Sequence, residues 1–329
     1  MCQREKLFLN GLLIVMFIFI SVGWVEQIQS QDKYPTRAID IICPWAPGGS
    51  TDLTARVMAD YLKKKWGVPV NVVNKPGGGT IPACLEVYQA KPDGYTILAE
   101  NGSSAPSLPI VFKELPFEVM NRTFLGMHTE LPFVFAVPKD SPFKTFKDLI
   151  NDIKKNPDEF TWASLGGAAF HDIAMKQLCK AIGIDILKTK PIMAAGGSKA
   201  VVLTAGGHVK VGGGTPSSCL PAFKAGTIRA LAVTSKERWA DFLDIPTTAE
   251  MGLPTVDIHQ WHGASGPPNM PSHIVATWEK VIAEMVKDHD VISRMKNIGT
   301  GMRYLDSKGL KEHVIKETEL LKDLWGVKK

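Results

Sequence analysis

The apolar positions of this chain alternate between short buried runs and longer stretches with helical spacing. Residues 38–44 place Ile39, Ile41 and Ile42 ahead of a proline and glycines, the pattern of a buried strand. Residues 52–66 follow with Leu53, Val57, Met58, Tyr61 and Leu62 on one helical face. A strand at 68–73, a helical turn or two at 85–90 and a strand at 95–99 continue the series. This β-α-β-α-β order predicts a parallel sheet with helices on its faces. Residues 131–137 read as a strand crossing to a second lobe. Beyond it come a helix at 144–156, a strand at 160–163, a helix at 170–182, more of the same pattern at 201–205 and a strand at 228–234. Pro271-Ser272 opens a helix to about 287, whose core face is Ile274, Val275, Trp278, Val281, Ile282 and Met285. Residues 307–324 form a final amphipathic helix with serine as its N-cap. There is no internal repeat and no low-complexity segment.

The N-terminus departs from this pattern. Arg4 and Lys6 precede residues 7–25, which contain no charge. A basic start before an apolar run is the form of a signal peptide, and this run is nearly long enough to cross a bilayer. Residues 1–30 are therefore expected to be a signal peptide or an N-terminal anchor, with cleavage favoured. Cys2 precedes the run and is not placed for lipoprotein processing. Export permits disulfides. Yet Cys43, Cys84, Cys179 and Cys219 have irregular spacings and no C-x-x-C, so four separate buried thiols are expected.

Composition narrows the function. The chain has 329 residues, 38 basic and 33 acidic, a net charge of +5. The charges are interspersed, and the longest basic block is Lys63-Lys64-Lys65, which argues against nucleic acid as a partner. The length suits two lobes rather than one core.

The glycines fall where chemistry is expected. Pro47-Gly48-Gly49-Ser50-Thr51-Asp52 joins the first strand to the first helix. Ligands of parallel α/β sheets sit beyond such strand ends, where amides and a helix N-terminus favour an anion. Asp52 is a difficulty there, because it would repel a carboxylate; it must point away, act through water or meet a cationic group. Pro76-Gly77-Gly78-Gly79-Thr80 and Asn101-Gly102-Ser103-Ser104 follow the next two strands. The second half of the chain offers Ser164-Leu165-Gly166-Gly167, Ala195-Gly196-Gly197-Ser198 and Gly212-Gly213-Gly214-Thr215. Two uncharged polar rims facing across a hinge describe a clamshell closed by its ligand.

The ordered motifs resemble the substrate-binding proteins of tripartite tricarboxylate transporters, the Bug family. Tyr34-Pro35-Thr36-Arg37, then Pro44, Gly48-Gly49, Asp52 and Ala55-Arg56, match the family's opening. Asn74-Lys75-Pro76-Gly77-Gly78-Gly79 and Pro92-Asp93-Gly94-Tyr95-Thr96 follow. Later matches are Gly206-Gly207, Ala225-Gly226 with residues 229–234, Pro246-Thr247 with Glu250 and Gly252-Leu253-Pro254, and Trp261-x-Gly263 with Pro267 and Pro271. The resemblance spans about residues 34–271. It implies a two-lobed type II periplasmic binding protein of the α/β class, a Venus flytrap whose lobes are mostly parallel sheets flanked by helices. It implies lobe 1 from 31–131 plus 259–329 and lobe 2 from 132–258. It implies a periplasmic receptor that binds a small organic carboxylate and delivers it to a membrane permease, as a monomer, with no cofactor and no metal. The ligand residues it implies are Pro47, Gly48, Gly49, Ser50, Thr51, Asp52, Asn101 and Ser103 on lobe 1. On lobe 2 they are Ser164, Gly166, Gly167, His171 and Gly196.

The second lobe departs from the family pattern. The stretch from Leu165 to Phe170 lacks the usual hydroxyls, the usual aromatic falls on Ala194, and the usual acidic residue falls on Lys210. A less polar second wall implies a ligand with one carboxylate at lobe 1 and a more apolar or bulkier remainder. His171 is as readily a packing residue as a ligand contact. His259 and His262 have an H-x-x-H spacing but no complementary ligand, and His289 and His313 are expected at the surface. Arg56 suits an i,i+4 pair with Asp52. An enzyme is the competing class, but G-x-G-x-x-G, the P-loop and G-x-S-x-G are all absent. A sensory module docking on a membrane kinase would use the same cleft.

Overall fold

The computed structural model describes residues 34–326 except Ala168. The apolar run at 7–25, and with it the expected signal or anchor, lies outside the described residues. Among those described, no helix is long and apolar enough to cross a membrane.

From Arg37 onward the chain forms one unit built on three sheets. The largest has six strands: β1 (Ile39–Cys43), β2 (Val70–Asn74), β3 (Thr96–Asn101), β4 (Thr123–Pro132), β10 (His259–Gly266) and β11 (Gly301–Leu305), in the order β11-β4-β10-β3-β1-β2. The expected βαβαβ start is present, with β1 parallel to both β2 and β3. The returning strand β10 then runs antiparallel between β3 and β4, and β11 pairs antiparallel with β4. The sheet is therefore mixed, because the chain leaves it at β4 and comes back from the opposite end.

The crossing falls where the apolar run at 131–137 predicts it. β4 ends at Pro132, and β5 (Val134–Pro138) begins in a second, three-stranded sheet. There β5 pairs antiparallel with β8 (Gly212–Gly214) and β9 (Ile228–Val233). β6 (Thr161–Ser164) and β7 (Lys190–Met193) form a parallel pair, tied to the strand region by a bridge from Trp162 to Val211. Separate apolar clusters fill the two halves. One holds Ile42, Leu98, Met127 and Trp261, and the other Phe133, Phe135, Phe146 and Trp162. The molecule is thus a two-lobed α/β fold.

Local signals explain the helix ends. The helix Ser50–Trp66 stops at Gly67, whose φ of 71° suits glycine and lets its amide reach the Lys63 carbonyl. The helix Phe146–Lys155 opens on a capping box between Thr145 and Asp148. The final helix, Ser307–Trp325, is capped by Asp306, not by the serine the sequence reading favoured. Asp306 accepts the Gly309 amide at 2.7 Å; its charged side chain sits one residue earlier, at the position with extended backbone. The helix Ser272–Met285 buries Ile274, Trp278, Val281, Ile282 and Met285 as its spacing requires. All four described cysteines are free and buried.

Candidate functional site

The ends of β1 and β3 and the start of the helix Ser50–Trp66 meet beside β10. Sheet register pairs His262 of β10 with Asn101 of β3 on one side and Thr129 of β4 on the other. This places a row of three polar side chains under the first turn of the helix. Asn101 donates from Nδ2 to the Thr51 hydroxyl at 3.3 Å, while its Oδ1 accepts the amides of Ser103 (2.9 Å) and Ser104 (3.1 Å). His262 bonds Thr129 through Nδ1 (2.9 Å) and Ser50 through Nε2 (3.1 Å). The first amides of the helix have no acceptor within it, as at any helix start. Behind the Asn101–Ser104 turn lies a fully buried ion pair, Arg122 to Glu100 at 2.9 Å, with Arg122 also donating to the Ser104 carbonyl at 2.7 Å.

Asp52 answers the difficulty raised above by turning away from the cleft. It accepts the Gly48 amide (2.9 Å), Asn74 Nδ2 (2.8 Å) and the Arg56 guanidinium (2.8 and 3.0 Å). Burial alone would raise its carboxyl, but Arg56, the Gly48 amide and Asn74 together hold it below the usual aspartate range. Asp52 thus braces the loop, and Arg56 is its i,i+4 partner. Gly48 has a φ of 83°, which the tight return of that loop requires.

The opposite wall is built alike, with one difference. Asp172, in the first turn of the helix Phe170–Ile182, accepts the Ser164 hydroxyl (2.5 Å) and the Leu165 amide (3.0 Å). No cation bridges it among the described residues, and burial pushes its carboxyl up to about 6. His171 sits beside it, 4% exposed. Its Nε2 lies 3.0 Å from the Gly213 carbonyl, while Nδ1 has no partner among the described residues. Burial lowers its pKa to about 4, so the ring is neutral.

The two walls close on a cavity of about 30 Å³ lined by Gly49, Ser50, Thr51, Ser103, Phe170 and His171, among others. Direct bonds join the walls. Phe170 N donates to Ser103 Oγ at 3.2 Å, and Ser198 Oγ donates to the Pro47 carbonyl at 3.1 Å. So small a space holds about two waters. A larger guest must part the walls and replace those bonds.

The structure brings Gly49, Ser50, Thr51, Ser103 and His171 to this cavity. Pro47, Gly48, Asp52 and Asn101 stand behind it as braces. Gly196 packs against Ala46 across the wall, and its neighbour Gly197 reaches the cavity. Ser164, Gly166 and Gly167 line a separate cavity of about 390 Å³, while Leu165 between them lines the first. The Pro76–Thr80 glycines form a tight turn against Phe112 and take no part in either lining. Lys210 pairs with Asp152 at 2.8 Å, away from the cavity. Thr215 reaches the cavity from the Gly212-Gly213-Gly214-Thr215 run, while Trp45, Ser218 and Gln260 line it without having been anticipated. Their neighbours in sequence carry no shared motif; only folding assembles them.

The histidines separate. His259 pairs with Asp257 at 2.8 Å, and His262 is buried under Ser50, so H-x-x-H is split across the faces of β10. No group of three or more metal-ligating side chains occurs among the described residues. His313 is not a surface residue as expected: it is half-buried, with its ring edge-on to Trp261 at 5.7 Å, because the final helix turns that face onto the sheet.

Two lobes, a small cleft walled by hydroxyls and helix-start amides, and a polar loop gathered from each side define a solute receptor rather than an enzyme. Residues 54–324 match the family described as tripartite tricarboxylate transporter family receptor, and the chain belongs to it. It is similar to protein BugT of Bordetella pertussis, 30% identical over 288 residues covering 86% of this chain and 87% of that one. It is also similar to the UPF0065 protein in the TAR-I ttuE-ttuC' intergenic region of Agrobacterium vitis, 30% identical over 294 residues, 89% and 83% of the two chains. Among solved structures, the periplasmic binding protein BugD is 27% identical with a TM-score of 0.82, covering 90% of this chain and all of that one.

Proposed function

We propose that this receptor works in the periplasm, takes a small organic carboxylate between its lobes, and presents it as a monomer to the integral-membrane permease of a tripartite transporter. Residues 1–30 direct export as a signal peptide or stay as an anchor. Lobe 1 comprises 31–131 plus 259–329, and lobe 2 comprises 132–258. The observation that carries this reading is the first wall. Helix-start amides and the hydroxyls of Ser50, Thr51 and Ser103 converge on one cavity, with no cation in it and the nearby carboxylate of Asp52 turned away. Oriented donors hold a carboxylate without the desolvation cost of a buried lysine or arginine. Leu165 and Phe170 on the opposite wall suit an apolar remainder of the ligand.

The test is calorimetric titration with a panel of small carboxylates. Saturable binding without turnover is expected. Asp52→Ala frees the Gly48 amide, and Gly49→Val pushes branches toward Gly197, so each should weaken binding by at least ~1 kcal/mol, about fivefold in Kd. Unchanged affinity in both variants would remove the first loop from the site.

A further inference from the structure

The proton positions around the cavity follow from its buried hydrogen bonds. Thr129 is fully buried, and its hydroxyl has one partner among the described residues, Nδ1 of His262. A buried hydroxyl proton without an acceptor is costly, so Thr129 donates and Nδ1 accepts. His262 is buried, and desolvation holds its pKa well below the usual value, so it carries one proton. That proton is on Nε2 and is given to Ser50 Oγ. Ser50 thus accepts from behind through one lone pair, and its own O–H is left to donate. The direction is the reverse of a catalytic Ser–His pair, where the ring takes the serine proton.

The same polarity recurs at both neighbouring hydroxyls. Thr51 Oγ1 accepts from Asn101 Nδ2, whose amide orientation is fixed by the two backbone amides on Oδ1. Ser103 Oγ accepts from the Phe170 amide. The hydroxyls of Ser50 and Thr51 therefore face the guest as donors, and that of Ser103 is freed to donate when the walls part.

The opposite wall has the opposite sign. The Gly213 carbonyl can only accept, so Nε2 of His171 holds the ring proton. Nδ1 is left as a buried lone pair with no partner among the described residues, on a ring that lines the cavity. It calls for a donor from the guest. An ammonium would need a counter-charge, but neither Asp52 nor Asp172 lines the cavity, and Asp52 is already paired with Arg56.

We infer that the cleft selects a hydroxy acid: its carboxylate is held by the donor wall of Ser50, Thr51 and Ser103, and its hydroxyl donates to Nδ1 of His171. This rests on the carboxylate reading above and adds the second recognition element. His262 and Thr129 touch no ligand; they are positioning residues that turn the Ser50 hydroxyl outward.

The experiment is titration calorimetry on matched pairs differing by one hydroxyl: glycolate and acetate, lactate and propionate, 2-hydroxyisovalerate and isovalerate. The hydroxy member should bind at least ~10-fold tighter in the pair that fits best, the scale of one buried acceptor left unpaired. His171→Phe should bring that ratio to within about twofold, because no lone pair remains to be satisfied. His262→Phe should weaken both members by a similar factor and keep the ratio. Histidine-ring ¹⁵N NMR on the unaltered protein provides a check that needs no variant. The His171 Nδ1 resonance should be that of an unprotonated nitrogen and should move with the hydroxy acid but not with its partner. Equal affinity within every pair, or an Nδ1 that carries a proton, overturns the inference while leaving carboxylate binding intact. Failure of every acid to bind overturns both.

Discussion

Glu317 is a carboxyl whose surroundings oppose its charge. It accepts the Trp261 indole N–H at 2.6 Å, and His313 lies 3.6 Å away. Burial pushes its carboxyl up to about 7; nearby Glu130 adds to the rise, while the Trp261 bond and His259 oppose it. The folded state therefore holds this proton more tightly than the unfolded chain does. Its contribution is fully present below the ordinary glutamate range and is lost as pH rises from about 4.5 to about 7. Glu317→Gln keeps an acceptor for Trp261 and has no proton to lose. It should be more stable than the parent by roughly 2–3 kcal/mol near pH 8, with the gap closing toward pH 4. Urea midpoints across that range measure it, and a constant gap would refute the assignment. At the same scale, Asp52 shows how a charged residue can sit in an anion loop. Its i,i+4 spacing to Arg56 was legible from the sequence, whereas the bonds to Gly48 and Asn74 required the fold.

Among the elements, β8 and β10 were the least visible. β8 is Gly212-Gly213-Gly214, which no propensity favours as a strand. Its conformation explains the glycine: Gly213 has a φ of 110°, and a Cβ there would lie 1.9 Å from the Val134 carbonyl oxygen of β5. Its own carbonyl accepts from His171. Gly213→Ala should therefore cost at least ~2 kcal/mol of stability through backbone strain and a broken pairing. Chemical denaturation checks this, and a stability equal to the parent's would show that β5 can move aside freely. β10 reads His259-Gln-Trp-His-Gly-Ala-Ser-Gly, with no β-branched residue and four small ones at its end. It is a strand because β3 and β4 flank it on both sides. Gly263 faces the Gly126 carbonyl so closely that a Cβ would stand 2.5 Å from it. Residues chosen for close packing do not advertise strand propensity, so His262 could not be placed under Ser50 in advance.

At the scale of the molecule, the chain leaves the six-stranded sheet after β4 and returns to it at β10, and one residue ties the two crossings together. Thr234 accepts the Phe133 amide at 2.8 Å, donates to the Ile258 carbonyl at 2.6 Å, and its own amide reaches the Phe133 carbonyl at 3.0 Å. Phe133 lies between β4 and β5, and Ile258 immediately precedes β10, so both crossings are joined at a single hydroxyl. Thr234→Val keeps the shape and leaves a buried donor and a buried acceptor unpaired, a cost of about 2 kcal/mol. Faster hydrogen exchange in the peptide carrying Phe133, with a lower urea midpoint, is the expected result. Parental exchange and midpoint together would mean that the crossings are held by other contacts. The final helix adds a third link: Leu310 and Val314 pack in one apolar cluster and Leu321 in the other.

The sequence alone determined the alternation of strands and helices, the crossing near Phe133, the four isolated thiols and the glycine loop at 47–52. These follow from local periodicity and turn chemistry, which act over a few residues. It also carried the family, through motifs spread in order along the chain. Tertiary structure decided which polar groups meet. Ser50 and His262 are 212 residues apart and touch only through sheet register; Ser103 and Phe170 touch only through closure of the walls. The direction of each proton in the cleft depends on who stands behind each hydroxyl, and that is a property of neighbours in space rather than in sequence.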